Sequence, residues 1–377
     1  MPDKREKIRV GLVFGGRSGE HDVSLASANS IIKSLDAEKY EVVPIGITRE
    51  GRWLLGTEPQ KLITAERQAV ESSDAEGEQT TAVTLTGDPS LRRLIPLQSG
   101  EQLHNNGALD VILPVLHGTY GEDGALQGLL EMANVPYVGS GVLGSALGMD
   151  KEKMKMLFRS VGLTVGEYLV CKRGEWERDP ESIMDASEQR LGYPTFVKPA
   201  NLGSSVGVNK AHDRGELEHA INVAAEYDRK IVIERGIDCR ELECAVLGND
   251  EPIASVVGEV IASNEFYDYN AKYLDGKSQV VIPADIPQAA ADAVRRQASA
   301  AFVALDLSGL ARVDFFLEKH TGEVYINEVN TMPGFTEISM YPKLWEASGL
   351  PYAQLLDRLI ELAIERYQDK QRNRTTR

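Results

Sequence analysis

With 377 residues, 42% hydrophobic and 26% charged, the chain has the composition of an ordinary soluble globular protein and the length for two or three domains. A formal charge of −16 argues against nucleic acid or an anionic membrane surface as a partner, so any anionic substrate must be held by local lysines, arginines and backbone N–H groups. Three cysteines without metal-type spacing, and no apolar run as long as a signal h-region or a membrane span, make a reducing, cytoplasmic location the expectation.

Residues 8–14 are an apolar run that reads as a buried strand of a parallel sheet. It ends in Gly15-Gly16-Arg17-Ser18-Gly19-Glu20, ahead of an amphipathic helix over 21–35 and a strand over 41–47. A glycine-rich turn between a strand and a helix N-terminus invites an anion or a dinucleotide. Here the spacing is not G-x-G-x-x-G, and Glu20 at the mouth favours a ligand carrying an ammonium group. The competing reading is that Glu20 only interacts with the helix N-terminus. From 57 to 106 the chain is polar and reads as a surface excursion with short strands near 82–85 and 94–97. Residues 109–116 return as a core strand and deliver His117 in the loop HGTYGEDG, at the carboxyl end where open α/β sheets bind ligands. A helix over 125–133, a short strand over 136–138 and GSGVLGSALGMD close a first domain.

A helix over 151–161 opens the next domain, followed by strands over 168–171 and 194–199, the second carrying Lys198. The loop NLGSSVGV can wrap N–H groups round phosphate oxygens. It is not a P-loop, and such a loop alone is more often a plain hairpin turn. The strand over 230–234 ends in Glu-Arg-Gly-Ile, a hinge whose extended backbone can meet an adenine edge, with Glu241 beyond it for ribose hydroxyls. Strands over 242–247 and 253–260 lead to NEFYDYNAKY at 264–273, too aromatic for a merely solvated loop and read as a lid. An amphipathic helix over 288–305 precedes a hairpin at 311–334, and a helix over 351–367 ends in a polar tail.

That hairpin turns at His320-Thr321-Gly322, a three-residue connection. In that register Asp314 lies opposite Glu328 and Arg312 opposite Asn330, and side chains two apart on a strand share a face. Two carboxylates and an amide oxygen are hard ligands suited to Mg²⁺ or Mn²⁺ beside phosphates. The competing reading is a solvated face with cross-strand ion pairs.

GGRSGEHDVS, LHGTYGEDG, SALGMDK, FVKPANLGSSVGV, IERGIDCRELE, FYDYNAKY, ARVDFF and NEVNTMPGFTEIS occur in one order. Together they closely resemble the D-alanine–D-alanine ligase family of the ATP-grasp superfamily, over roughly residues 8–367. The resemblance implies an α/β fold of three domains. These are an N-terminal parallel-sheet domain (1–148), a central ATP-grasp lobe (149–235), and a C-terminal lobe with lid, metal hairpin and second-substrate site (236–377). ATP is then clasped between the last two. The implied reaction joins two D-alanine molecules to D-alanyl-D-alanine through an acyl phosphate, for peptidoglycan precursors. ATP, two Mg²⁺ or Mn²⁺ ions and a homodimer come with it; nucleic acid and membrane do not.

Residue by residue, Glu20 aligns with the glutamate that meets the ammonium of the first D-alanine, in a Glu–Ser–Tyr arrangement completed by Ser204 and Tyr273. His117 matches the first-subsite histidine, and Lys151, Lys198 and Lys272 match lysines on the ATP phosphates. Glu234, Arg235, Ile237 and Glu241 fall where adenine and ribose are held, and Asp314, Glu328 and Asn330 match the metal ligands. Arg312 and the backbone N–H of Gly334 match an oxyanion-stabilising pair, and Ser339 the contact to the second carboxylate. On this reading Arg312 is aimed past the metal ligands toward Glu20 and Ser339.

Two features bear on specificity. Many relatives have Glu-Lys-Trp-Leu at the hinge where this chain has Glu234-Arg235-Gly236-Ile237. The lid keeps Tyr273, from which relatives that make D-alanyl-D-lactate depart, and this favours an amine as the second nucleophile. The competing functions are a ligase using D-lactate or D-serine, a non-catalytic ATP sensor, and a Rossmann-type dehydrogenase built on the Gly15–Gly19 turn.

Overall fold

The computed structural model describes residues 7–56, 59, 61, 81–98, 102–203, 206–261 and 279–374. Among them the strands form three sheets. In the first, β1 (Ile8–Gly15), β2 (Tyr40–Ile47), β3 (Trp53–Leu55), β4 (Thr81–Leu85), β5 (Leu94–Pro96) and β6 (Val111–Pro114) lie in the order β5-β4-β3-β2-β1-β6. β1 pairs parallel with β2 and β6, while β2 to β5 run antiparallel. The polar segment expected as a surface excursion therefore supplies sheet edge. Its inward residues Val83, Leu85 and Leu94 join the core with Val13, Ile45 and Ile112, since an alternating strand buries one face while showing the other to water. The strand expected over 136–138 is reduced to one parallel bridge, Ile112 to Tyr137.

α1 (His21–Ser34) and α2 (Ala125–Ala133) pack on this sheet. They are followed by α3 (Val142–Met149), a helix within the glycine-rich GSGVLGSALGMD. A Cβ at Gly144 would come 2.6 Å from the carbonyl oxygen of Asp306, and one at Gly148 would come 2.5 Å from a methyl of Thr331. Close approach, at a propensity cost of about 1 kcal/mol per glycine, explains a helix that composition hides.

α4 (Lys151–Ser160) is capped by Asp150, whose side chain accepts the Lys153 N–H. The second sheet is antiparallel, β7 (Tyr168–Lys172), β8 (Thr195–Pro199), β9 (Asn209–Ala211) and β10 (Lys230–Arg235), in the order β7-β10-β8-β9. With α5 (Arg173–Arg178), α6 (Pro180–Arg190) and α7 (Arg214–Tyr227) it closes its own core around Val197, Leu217, Ile221, Ile231 and Ile233.

The third sheet is antiparallel too. It contains β11 (Cys239–Gly248), β12 (Ile253–Ile261), β13 (Gln279–Val281), β14 (Gly309–Glu318) and β15 (Val324–Asn330), in the order β13-β12-β11-β14-β15. Alternation along β11 divides its two faces. Cys244 and Val246 pack with α8 (Gln288–Ala304), while Ala245 and Leu247 pack with α9 (Met340–Ala347) and α10 (Tyr352–Lys370). The second of these cores also takes in Val10, Leu12 and Val111, so the first and third sheets share one interior.

The hairpin of β14 and β15 has the expected pairs, Arg312 with Asn330 and Asp314 with Glu328, but reaches them by another route. The connection is one residue longer, running over 319–322, with the Glu318 N–H bonded to the Glu323 carbonyl. A bulge at Asn327 compensates, because Phe315 pairs with Ile326 while Asp314 pairs with Glu328. The cause is the apolar spacing of β15. Val324, Ile326 and Val329 are all buried, two and then three residues apart, and only an extra residue between them lets Glu328 and Asn330 emerge together on the opposite face.

Candidate active site

A cleft of about 810 Å³ opens between the second and third sheets. Lys151, Lys198, Glu234, Arg235, Ile237, Glu241, Asp314, Glu328 and Asn330 all line it. Met154, Phe196, Leu242 and Phe316 add an apolar wall on which a flat ring can rest. Lys272 and Tyr273 of the expected lid, and Ser204 of the glycine–serine loop, lie outside the described residues.

Antiparallel pairing of β8 and β10 sets Lys198 opposite Val232 and brings its ammonium to Glu234 Oε2 at 2.9 Å. Lys155 reaches Oε1 of the same carboxylate from α4 at 3.1 Å. Burial alone would raise the Glu234 pKa, but the two ammonium groups outweigh it and hold the carboxyl down to about 2. Burial also opposes the charge on Lys198, yet Glu234, Glu328 and Glu241 together raise its pKa. Lys151 donates to the Leu202 carbonyl at 2.7 Å and lies 3.7 Å from Glu328. Its helix start is anchored by buried Lys230, which donates to Asp150 at 2.6 Å and Glu152 at 2.7 Å.

At the hinge, Gly236 donates to the Pro194 carbonyl at 2.8 Å, and a Cβ there would stand 2.7 Å from that oxygen. The glycine in Glu-Arg-Gly-Ile therefore goes with close contact to the 193–194 turn, leaving Arg235 exposed on the rim.

On the β14–β15 hairpin, Arg312 forks Asp314 with two bonds of 2.7 Å and reaches Glu243 at 2.9 Å. Asn330 Nδ2 donates to Asp314 Oδ2 at 3.0 Å. Arg312 is thus folded back onto the hairpin rather than aimed past it. Glu243, Asp314 and Glu328 supply the carboxylate oxygens here, with Arg312 on the first two and Lys151 3.7 Å from the third. That donor set fits a hard divalent cation.

The other half of the site is built from loops. Glu20 occupies the N-cap position of α1 but makes no side-chain cap bond. Its carboxylate points between two glycine loops instead, where a Cβ at Gly118 or Gly203 would come within 3.0 or 3.1 Å of Oε2. His117 is buried, with Nδ1 2.8 Å from the Met332 carbonyl and Nε2 3.4 Å from Ser27 Oγ. Burial lowers its pKa, so the ring is neutral at pH 7 and its Nδ1–H donates to that carbonyl.

Glu122, which sequence reasoning passed over, belongs with it. Its carboxyl accepts the Gly118 N–H at 2.6 Å and the Met332 N–H at 2.8 Å, and it also lines the cleft. Met332 is held at both its N–H and its C=O by the 117–122 loop, which ties that loop to the turn carrying Gly334. Burial, reinforced by Glu20, raises the Glu122 pKa to about 8. The available signal was a second acid in the same glycine loop as His117. Across the turn, Ser339 Oγ accepts the Thr336 N–H at 3.1 Å, and a Cβ at Gly334 would lie 3.3 Å from that oxygen.

The family model described as the D-ala D-ala ligase N-terminus matches residues 9–140, and that described as the D-ala D-ala ligase C-terminus matches 157–361. A D-alanine–D-alanine ligase of Acetivibrio thermocellus is 50% identical over 367 residues, covering 97% of this chain and 98% of the relative. Among solved structures, the D-alanine–D-alanine ligase of Coxiella burnetii superposes with a TM-score of 0.80 at 37% identity, over 97% of this chain and 98% of that one. The VanG D-Ala:D-Ser ligase of Enterococcus faecalis does so at 0.82 and 36%, over 95% and 100%.

Proposed function

The chain belongs to the D-alanine–D-alanine ligase family, and from this premise we infer that its cleft joins two molecules of D-alanine at the expense of ATP. The observation that carries the reading is one continuous site. Phosphate-type lysines and hard oxygen donors line a nucleotide-sized cleft, and Glu122 joins that cleft to the loops of Glu20, His117, Gly334 and Ser339.

Two carboxylate-bearing amino acids do not condense in water, so one carboxyl must be activated. The carboxylate of the first D-alanine attacks the γ-phosphorus of ATP; ADP leaves and an acyl phosphate remains. The amine of the second D-alanine attacks the acyl carbon, and phosphate leaves with the bonding pair. Glu20 receives the ammonium of the first substrate. Lys151 and Lys198, with Lys272, take up charge on the transferring phosphoryl group. Asp314, Glu328 and Asn330 would hold Mg²⁺ or Mn²⁺, which neutralises phosphate charge and keeps the transfer in line. The Gly334 N–H is assigned to the oxyanion that forms at the acyl carbon, and Arg312 would join it only on leaving its fork on Asp314; losing one such donor typically costs about 2.7–4 kcal/mol. Ser339 meets the second carboxylate, and Glu234, Arg235, Ile237 and Glu241 hold adenine and ribose.

The three units run over 1–148, 149–235 and 236–377, in a cytoplasmic homodimer. Phosphate release on adding D-alanine to protein and MgATP tests the reading, with L-alanine as control. Release with D-alanine alone is expected; nucleotide binding without D-alanine-dependent release would make the chain a sensor instead.

A further inference from the structure

Lys155 takes no part in the mechanism above, yet it is 3% exposed, against 8% for Lys151 and for Lys198. It lies on α4 one turn beyond Lys151 and does not line the cleft. Its ammonium meets two other elements. One contact is Glu234 Oε1 on β10 at 3.1 Å; the other is the carbonyl of Asn327 on β15, at 2.9 Å. Asn327 is the bulge residue, and a bulge leaves its extra residue outside the ladder, so Lys155 supplies the donor the neighbouring strand does not. The same helix grips β15 once more, where Met154 Sδ accepts the Val329 N–H.

The charges can be counted. Glu234 has one ammonium on each oxygen, Lys155 on Oε1 and Lys198 on Oε2. With Lys198 alone, Glu234 would form a closed pair and consume the charge that faces the cleft. With Lys155 present Glu234 is shared between two ammonium groups, and of these only Lys198 lines the cavity, beside Glu241 and Glu328.

We propose that Lys155 is a positioning residue for the nucleotide: it balances Glu234 so that Lys198 stays available to phosphate, and it fixes the Asn327 carbonyl from which Glu328 departs. This rests on the nucleotide reading above. The test is calorimetric titration of the full chain with adenylyl imidodiphosphate, with and without Mg²⁺, alongside thermal melting. Lys155→Met should weaken binding by about tenfold or more, because it leaves one oxygen of a buried carboxylate without its partner. Lys155→Arg should restore affinity to within about threefold of wild type. In a Glu234→Gln background, Lys155→Met should cost clearly less than in wild type, about threefold or less, the remainder being the Asn327 contact that does not pass through Glu234. Should Lys155→Met alone fail to fold, the comparison of Glu234→Gln with the double variant decides, because neither leaves a buried carboxylate unpaired.

Unchanged affinity in Lys155→Met, or an equal loss in both backgrounds, would overturn the proposal while the nucleotide reading stood. A wild-type chain that does not bind the analogue would overturn both.

Discussion

Two carboxylates of the site, buried Glu234 and partly buried Glu122, have opposite consequences for pH. Glu234 is held ionised by two ammonium groups, so the stability it brings is present above its ordinary pKa of 4.5 and is lost only as pH falls toward about 2. Glu122 is held by two backbone N–H groups while burial and Glu20 oppose its charge, so its folded pKa of about 8 stands above the ordinary 4.5. Between those values the folded chain keeps a proton that the unfolded chain has released, and stability falls as pH rises. Glu122→Gln should therefore lose at least about 1 kcal/mol less unfolding free energy than wild type between about pH 5 and 8. Denaturant titrations across the range check this; parallel curves for the two proteins would rule the assignment out.

At the scale of elements, legibility followed the apolar pattern. Sheet strands and α2 could be read because apolar spacing specifies which face is buried, while the Asp314–Glu328 pairing followed from a loop count whose error the bulge cancelled. The bulge was written there too, in the two-then-three spacing of Val324, Ile326 and Val329, but a loop counted one residue short masked it. α3 could not be read in the same way. Its glycines argue against a helix locally and are required by Asp306 and Thr331, far along the chain, and no local pattern carries that information. The tie from Glu122 to Met332 is likewise a contact between distant loops. Gly148→Ala separates the two influences. Helix propensity predicts a gain, but the Cβ would stand 2.5 Å from Thr331, and a loss of about 1–3 kcal/mol is expected. A rise in melting temperature would show that the close approach does not constrain the helix.

Across the whole molecule, the units differ in how firmly they are joined. The first and third sheets share a core, and α10 pins them further: Arg366 donates to the carbonyls of Gly139 and Tyr137 and lies over the Tyr137 ring at 4.4 Å. The second sheet has its own interior and meets the third through α4 and the hinge at Gly236. ATP would lie at that junction, between the bodies with separate cores. The opposite loops, which would receive D-alanine, are fastened through Met332 to the end of the β14–β15 hairpin. Glu328 stands where these parts converge, on a strand held by α4, beside Lys151 and opposite Asp314. The most direct measurement is thus ATP-dependent D-alanyl-D-alanine synthesis by Glu328→Gln, with melting followed in parallel. Loss of synthesis by about a thousandfold or more, at an unchanged melting temperature, is expected for a site built round this carboxylate; a folded variant that still makes the dipeptide at the wild-type rate would contradict it.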